Sequence, residues 1–250
     1  MSCINHPLIR PDSIESREYQ LAVAMKALDA NTMVILPTGL GKTAVALIVA
    51  ASRLYNEKGR VLMLAPTKPL VEQHLRFFEK FLLATSPAGS DASPFSMFTG
   101  EAPPDERTAD WERSQVVFAT PQVVKNDLIA GRYTLKDVTL MIVDECHRAV
   151  GNYAYVFLAQ RYMATADKPL ILAMTASPGG AQEKVQEVCT NLGITQVENR
   201  TENDPDVRPY VHEREIEVVS LALPAGLKSA IHAINSLLEN RLALLASVGF

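Results

Sequence analysis

Apolar and polar positions follow two different rhythms along the first ~200 residues. Short and nearly continuous apolar runs, such as residues 61–64 and 140–143, are typical of strands buried on both faces of a parallel sheet. Longer stretches with apolar residues at helical spacing lie between them. The runs predict strands at Thr32–Leu36, Arg60–Ala65, Phe95–Phe98, Gln115–Ala119, Thr139–Val143, Leu170–Met174 and Thr195–Glu198. The helical stretches are Ser16–Leu28, Lys42–Tyr55, Lys68–Leu83, Asp105–Arg113, Pro121–Ile129, Tyr153–Ala166 and Ala181–Leu192.

Strand and helix alternate throughout this part of the chain. Such alternation predicts an α/β fold, with a doubly wound and mostly parallel sheet and helices on both of its faces. This alternation stops near residues 199–214, which are polar and contain two prolines, as is typical of connecting segments. Beyond them, Glu215–Leu223 alternates like an edge strand and Ala225–Val248 has helical spacing. We therefore predict a first domain over 1–213 and the truncated start of a second over 214–250.

Composition narrows the class of protein only modestly. The 250 residues are 48% hydrophobic and 21% charged, which fits one large α/β domain with part of another. No apolar run is long enough for a membrane span, and the N-terminus lacks the pattern of a secretory signal. Cys3, Cys146 and Cys189 are far apart without metal-ligand spacing, so we expect no zinc and a reducing, intracellular setting. The net charge of −4 means that any nucleic-acid binding must come from a local surface.

A phosphate-binding loop follows the first predicted strand. Residues 36–43 read Leu-Pro-Thr-Gly-Leu-Gly-Lys-Thr and lead into an apolar helix, the strand–loop–helix context that a P-loop needs. Its glycines let backbone N–H groups wrap a phosphate, Lys42 would reach the β and γ phosphates, and the Thr43 hydroxyl would bind Mg²⁺. Leu36 departs from the general pattern, which has glycine there. The predicted nucleotide-binding residues of the loop are Thr38, Gly39, Leu40, Gly41, Lys42 and Thr43.

An acidic pair ends the predicted strand 139–143. Asp144 and Glu145 stand at its carboxyl end, where parallel sheets place ligand chemistry. Asp144 is placed to hold Mg²⁺ and Glu145 to orient the attacking water, while His147 would sense the γ-phosphate. An isolated Asp-Glu pair after a strand is more often a helix cap, and only the partnership with Lys42 reverses that interpretation. Cys146 is expected to pack as a small residue.

With both motifs present, the chain resembles the first RecA-like domain of a superfamily two helicase of the DEAH/DECH type. The resemblance implies ATP or ADP with Mg²⁺ as cofactors, Arg17 and Gln20 as adenine-reading residues, and Thr175 and Ser177 as residues that couple the ATP site to nucleic acid. It also implies segments that grip a nucleic-acid backbone through hydroxyls, backbone N–H groups and a lysine, without reading sequence. These residues are Thr67, Lys68, Pro69, Thr99, Gly100, Thr120 and Gln122.

Four stretches narrow the resemblance to the archaeal Hef and eukaryotic FANCM branch, which remodels forked and branched DNA. They are residues 36–43, 64–71, 147–155 and 204–211, and the resemblance covers about residues 14–215. It places the closing strand and helix at the entry of a helical insertion domain. Cys146 stands where archaeal members have alanine, but RIG-I and Dicer-type helicases tolerate cysteine there, so RNA stays open as a substrate.

The resemblance predicts a DNA helicase or translocase motor in DNA repair, located in the cytoplasm of an archaeon or the nucleus of a eukaryote. A second RecA-like lobe would supply arginines to the transferring phosphoryl group, so we expect these 250 residues to be a half-motor with little activity. The alternatives are an RNA-directed ATPase, a P-loop ATPase without nucleic acid, and a non-catalytic nucleic-acid-binding module. We expect Tyr153 and Tyr155 to pack a helix against the sheet rather than to stack on bases. His6, His74, His212 and His232 have no metal-ligand spacing and are expected to have no role in the site.

Overall fold

The computed structural model of the chain describes residues 2–85, 93–177, 182–211 and 221–247. The chain divides into two compact units, Met1–Val211 and His212–Phe250. The strands of the first unit are β1 Thr32–Ile35, β2 Arg60–Leu64, β3 Phe95–Phe98, β4 Val116–Ala119, β5 Val138–Asp144, β6 Ile171–Thr175 and β7 Gln196–Asn199. Its helices are α1 Glu18–Asp29, α2 Lys42–Asn56, α3 Lys68–Phe81, α4 Pro104–Arg113, α5 Pro121–Ile129, α6 Ala154–Thr165 and α7 Gln182–Leu192.

The strands form one seven-stranded sheet in the order β3-β4-β2-β5-β6-β1-β7. Every strand pairing in it is parallel, from the edge pair β3–β4 to the edge pair β1–β7. Parallel neighbours need crossover connections, which the helices between the strands provide. The predicted doubly wound fold is confirmed, and the sheet is parallel throughout these pairings rather than mostly so.

Alternate residues of each strand face opposite sides of the sheet, and each side is covered by its own helices. In β2, Val61 and Met63 pack in the core that contains α1, α2 and α3. Leu62 and Leu64 of the same strand pack in the core of α4, α5, α6 and α7. Burial on both faces explains why the strands read as continuous apolar runs.

The predicted elements and the observed ones agree within about two residues at each end. One difference matters for the site: β5 extends through Asp144, so this carboxylate belongs to the strand itself. In the second unit, the predicted strand 215–223 lies outside the described residues up to 220, and residues 221–223 have no regular structure. The predicted final helix is confirmed as α8, Ala225–Ser247, whose large apolar side chains are exposed.

All parallel strands end at the same edge of the sheet, so the segments that follow them converge there. The P-loop follows β1, and Asp144 ends β5 two strands away, with β6 between them. On the other side of β5 in the sheet lie β2, β4 and the edge strand β3. They are followed by segments that begin at Ala65, Thr120 and Thr99, respectively. Open α/β sheets bind ligands at this carboxyl edge.

Candidate functional site

The P-loop has the backbone conformation that its glycines permit. Gly39 and Gly41 have φ angles of 90° and 78°, in the left-handed region that favours glycine. Gly41 is the N-cap of α2, so the loop ends where the free N–H groups of that helix begin. A Cβ atom at Gly41 would lie 2.2 Å from the Gln20 side-chain nitrogen. The backbone conformation therefore favours glycine at position 41, and any larger residue there would also have to displace the Gln20 amide.

Leu36, the residue that departs from the general P-loop pattern, contributes its backbone carbonyl to the loop rather than its side chain. Its side chain is fully buried in the core, so it does not intrude on the loop. Its carbonyl oxygen accepts a hydrogen bond from Lys42 Nζ at 3.0 Å. Burial lowers the pKa of Lys42, although the nearby Asp144 and Glu145 carboxylates act in the opposite direction. The Leu36 carbonyl thus holds the Lys42 ammonium at the candidate phosphate-binding loop.

The acidic pair faces this lysine across a cavity of about 420 Å³. The cavity is lined on one side by the P-loop and Thr43, and on the other by Asp144 and Glu145. Glu145 has φ 50° and ψ 46°, a left-handed conformation that is uncommon for a residue other than glycine and typical of functional sites. The structure thus brings together Lys42, Thr43, Asp144 and Glu145, which are separated by about 100 residues in the chain.

The oxygen atoms in this cavity suit a magnesium ion. Thr43 offers a hydroxyl and Asp144 a carboxylate, and Mg²⁺ is usually bound by one or two carboxylates together with waters and nucleotide phosphates. Within residues 2–85, 93–177, 182–211 and 221–247, no group of three or more His, Cys, Asp or Glu side chains could hold a metal. The Thr43 hydroxyl and the Asp144 carboxylate therefore suit an ion that also binds nucleotide phosphates.

A second cavity, of about 290 Å³, adjoins the first around Gly39 and Gly41 and is lined by Arg17 and Gln20. The Gln20 amide donates to the Leu40 carbonyl and to the Tyr19 hydroxyl, both at 3.2 Å. Arg17 bonds to Glu15 at 2.9 Å, and its guanidinium lies 5.3 Å from the centre of the Tyr210 ring. The predicted adenine-reading pair therefore lies at the P-loop and contacts the connector that closes the first unit.

His147 links the acidic pair to the segment that follows β6. Its Nδ1 lies 3.0 Å from the Thr175 hydroxyl and 3.2 Å from Glu145 Oε2. The Thr175 hydroxyl donates to the Ser177 carbonyl and accepts from the Ser177 backbone N–H. A continuous chain of polar contacts thus runs from Glu145 through His147 to Thr175 and Ser177, the two coupling residues that the resemblance implies.

The predicted nucleic-acid segments follow three neighbouring strands, β2, β4 and β3. Thr67 and Thr120 are the N-cap residues of α3 and α5, but neither side chain caps its own helix. Their hydroxyls are therefore available to a ligand at two helix N-termini, which favour anions. Gly100 is exposed, with open space where a Cβ would be. These features suit contact with a phosphate backbone.

The remaining predicted contacts differ in accessibility. Pro69 and Gln122 are exposed, and the Gln122 amide bonds to Asn126 at 2.9 Å. Thr99 is only 4% exposed, so it is much less accessible to a ligand than the neighbouring Gly100. Lys68 is paired with Glu101, and the hydrogen bond to that carboxylate raises the pKa of Lys68. One lysine of this face is thus already engaged by an acidic neighbour.

Sequence reasoning missed one residue of the site, His74, whose lack of ligand spacing predicts an incidental role. Its Nε2 lies 2.8 Å from Asp144 Oδ2, with both side chains buried. Val71, His74 and Phe78 form the buried face of α3, so the helical spacing of the apolar pair was the available signal. Tyr155 is fully buried and donates to the Asp144 carbonyl at 2.7 Å, in keeping with packing rather than base stacking. Cys146 is buried too, and burial raises the pKa of its thiol, so it packs as expected.

Comparison with known proteins agrees with this geometry. The sequence profile of the DEAD/DEAH box helicase family matches residues 17–185. The crystal structure of the Hef helicase domain of Pyrococcus furiosus superposes with a TM-score of 0.77 at 45% sequence identity, covering 97% of this chain and 50% of that one. No helix among the described residues is long and apolar enough to cross a membrane.

Two curated relatives cover most of this chain. A Methanocaldococcus jannaschii protein, provisionally named as an ATP-dependent RNA helicase, is 42% identical over 98% of this chain and 30% of its own length. The ATP-dependent DNA helicase mph1 of Neurospora crassa is 40% identical over 82% of this chain and 17% of its own length. The chain thus spans less than a third of either relative.

Proposed function

Because the chain belongs to the DEAD/DEAH box helicase family, we propose that it is the ATP-binding lobe of a DNA helicase or translocase that acts on forked or branched DNA. The protein would work in DNA repair, in the cytoplasm of an archaeon or the nucleus of a eukaryote. A second RecA-like lobe of the same full-length protein would close over the nucleotide. The second unit, His212–Phe250, would begin a helical domain between the two lobes.

One observation carries the proposal: two sets of candidate residues share one edge of one sheet. The P-loop and the acidic pair lie at the ends of β1 and β5 and the coupling residues at the end of β6, while the nucleic-acid set follows β2, β4 and β3. The boundary falls between the adjacent strands β5 and β2. A motor needs its nucleotide and its nucleic acid bound side by side, so that hydrolysis of the γ-phosphate can change the contacts to the nucleic acid. A simple P-loop ATPase would have no use for the second set.

Each residue of the nucleotide set has a distinct role in the proposed hydrolysis. Lys42 would leave the Leu36 carbonyl and bind the β and γ phosphates. Glu145 would orient the attacking water, and His147 would report the loss of the γ-phosphate to Thr175. Thr43 and Asp144 would hold Mg²⁺, which neutralises charge on the phosphate oxygens. Gln20 and Arg17 would read the adenine in the adjoining cavity.

The choice of DNA over RNA is tested by ATP turnover of the full-length protein with matched nucleic acids. Forked DNA, linear duplex DNA and an RNA fork of the same sequence should be compared at one salt concentration. We expect the DNA fork to give the largest stimulation. Stimulation by the RNA fork alone would instead support the RNA activity named for the Methanocaldococcus jannaschii relative.

A second experiment tests the need for another lobe. The 250-residue polypeptide should bind a fluorescent ATP analogue with Mg²⁺ but hydrolyse ATP at least about 1,000-fold more slowly than the full-length protein with DNA. The reason is that an arginine supplied to the phosphoryl group is worth about 10³–10⁵ in rate. Multiple-turnover assays with and without forked DNA measure this. Strong DNA-stimulated hydrolysis by the polypeptide alone would contradict the half-motor proposal.

Glu101 should weaken the nucleic-acid face by occupying Lys68. Replacing Glu101 with glutamine frees the lysine for a phosphate, and we expect about two- to fivefold tighter binding of forked DNA at low salt. The gain should shrink at high salt, because both side chains are solvent-exposed. Fluorescence anisotropy of labelled DNA measures it. Glu72→Gln is the comparison variant: it removes the same charge from a longer ion pair, 3.8 Å from Lys68 Nζ, so it should give a smaller gain. If Glu101→Gln left the DNA affinity unchanged while Lys68→Ala weakened it, Glu101 would not be limiting the contact of Lys68 with DNA.

A further inference from the structure

His74 stands behind the acidic pair, on the buried face of α3. Its Nε2 lies 2.8 Å from Asp144 Oδ2, and the two side chains are only 5% and 6% exposed. A carboxylate only accepts hydrogen bonds, so the ring proton that faces it belongs to Nε2. The contact is therefore a charge-assisted hydrogen bond shielded from solvent, which is among the stronger kinds.

The other nitrogen of the same ring has no partner. His74 Nδ1 is buried without a hydrogen bond, and it is the one buried side-chain nitrogen or oxygen atom of this kind among the described residues. Burying an unsatisfied polar atom is unfavourable, and native proteins keep few of them. An apolar side chain would fill the position without that cost. The histidine is thus best explained by its single bond to Asp144.

Asp144 is fixed at two points. Tyr155 donates to its backbone carbonyl at 2.7 Å, and His74 holds Oδ2. The second carboxylate oxygen, Oδ1, makes no hydrogen bond with any residue that the structure describes. Asp144 and Thr43 line the same cavity, so Oδ1 is the atom left to meet a cation or its bound water there. A carboxylate held in this way loses little rotational freedom when it binds a ligand.

We propose that His74 is a positioning residue that orients the Asp144 carboxylate for Mg²⁺. This inference rests on the proposed function, which makes Asp144 a magnesium-binding residue. Groups that hydrogen-bond to a metal-binding carboxylate orient it, and their loss commonly costs about 10- to 100-fold in metal affinity. His74 would therefore set how much Mg²⁺ the protein needs to bind its nucleotide tightly.

The test is a Mg²⁺ titration of nucleotide binding, without turnover. A fluorescent ADP analogue is bound to the full-length protein in EDTA, and Mg²⁺ is then added until tight binding saturates. His74→Gln can place a side-chain N–H where Nε2 was, whereas the shorter His74→Asn cannot reach Asp144. We expect the half-saturating Mg²⁺ concentration to rise about tenfold in His74→Asn and to stay within about threefold of the parent in His74→Gln.

The controls separate this role from a structural one. His74 lines the phosphate cavity, but its hydrogen bond goes to Asp144, whose proposed ligand is Mg²⁺. ADP binding in EDTA should therefore stay close to the parent value in both variants. His74→Met, which keeps the volume, replaces His74→Asn if that variant does not fold, and it should show the same shift. An equal shift in His74→Gln, or none in His74→Asn and His74→Met, would overturn the inference. Failure of the parent to bind ADP at all would instead refute the proposed nucleotide site.

Discussion

Replacing Lys42 with alanine in the full-length protein is expected to lower nucleic-acid-stimulated ATP turnover by about 100- to 1,000-fold, the usual cost of removing one donor that stabilises transition-state charge. Lys42 is held by the Leu36 carbonyl and already shares its cavity with Asp144 and Glu145. Initial rates of phosphate release with saturating forked DNA measure the effect. DNA affinity should be retained, because the nucleic-acid segments follow other strands of the sheet.

Glu145→Gln is the matched partner of this variant. It keeps the size of the side chain but removes the carboxylate that would orient the attacking water, so ATP should bind while turnover is lost. Loss of turnover in both variants with DNA binding retained supports a motor. Turnover equal to the parent in both would favour a non-catalytic nucleic-acid-binding module. Lys42→Ala should not lower thermal stability, because burial already disfavours its charged form.

Local chemistry made most of the fold and the geometry of the candidate nucleotide site predictable. Strands buried on both faces appear in the sequence as apolar runs, and a P-loop is a contiguous segment whose glycines have a mechanical role. Asp144 and Glu145 could be paired with Lys42 because both follow buried strands, and parallel strands end at one edge. The Leu36 departure proved harmless for a reason that sequence does not encode, since its side chain enters the core and its carbonyl holds the lysine.

Contacts between distant side chains were not predictable from the sequence. His74 and Asp144 are 70 residues apart, and a single histidine without ligand spacing gives no reason to pair them. Arg17 and Tyr210 meet only because the chain returns to α1 after β7. Charged residues on helices usually indicate a solvated face, so the sequence offered no sign that Arg107 and Asp127 would be buried together. These pairings depend on crossover geometry, which a pattern of residues does not fix.

That buried pair leads to the largest stability effect that we expect. Arg107 of α4 makes two hydrogen bonds to Asp127 of α5, at 2.7 and 2.6 Å, and Tyr133 and Arg132 each add one at 3.2 Å. Asp127 is fully buried, and its carboxylate raises the pKa of Arg107. Replacing Asp127 with alanine leaves a buried guanidinium without its counter-ion. The free energy of unfolding should fall by about 3–5 kcal/mol, measured by chemical denaturation. Arg76→Ala, at an exposed ion pair, should leave the denaturation midpoint unchanged.

The same pair also connects two of the predicted nucleic-acid segments, and a double variant can separate its two effects. Arg107 donates to the Ala102 carbonyl, close to Gly100, while Asp127 lies on the helix that begins after Thr120. Combining Arg107→Met with Asp127→Leu should recover part of the lost stability, because well-packed apolar side chains often replace buried ion pairs at no net cost, while Tyr133 and Arg132 still lack their acceptor. DNA affinity should still fall about fivefold, since ordering even one released backbone residue costs about 1 kcal/mol. Parent-like DNA binding by this stable double variant would show that the pair serves stability alone.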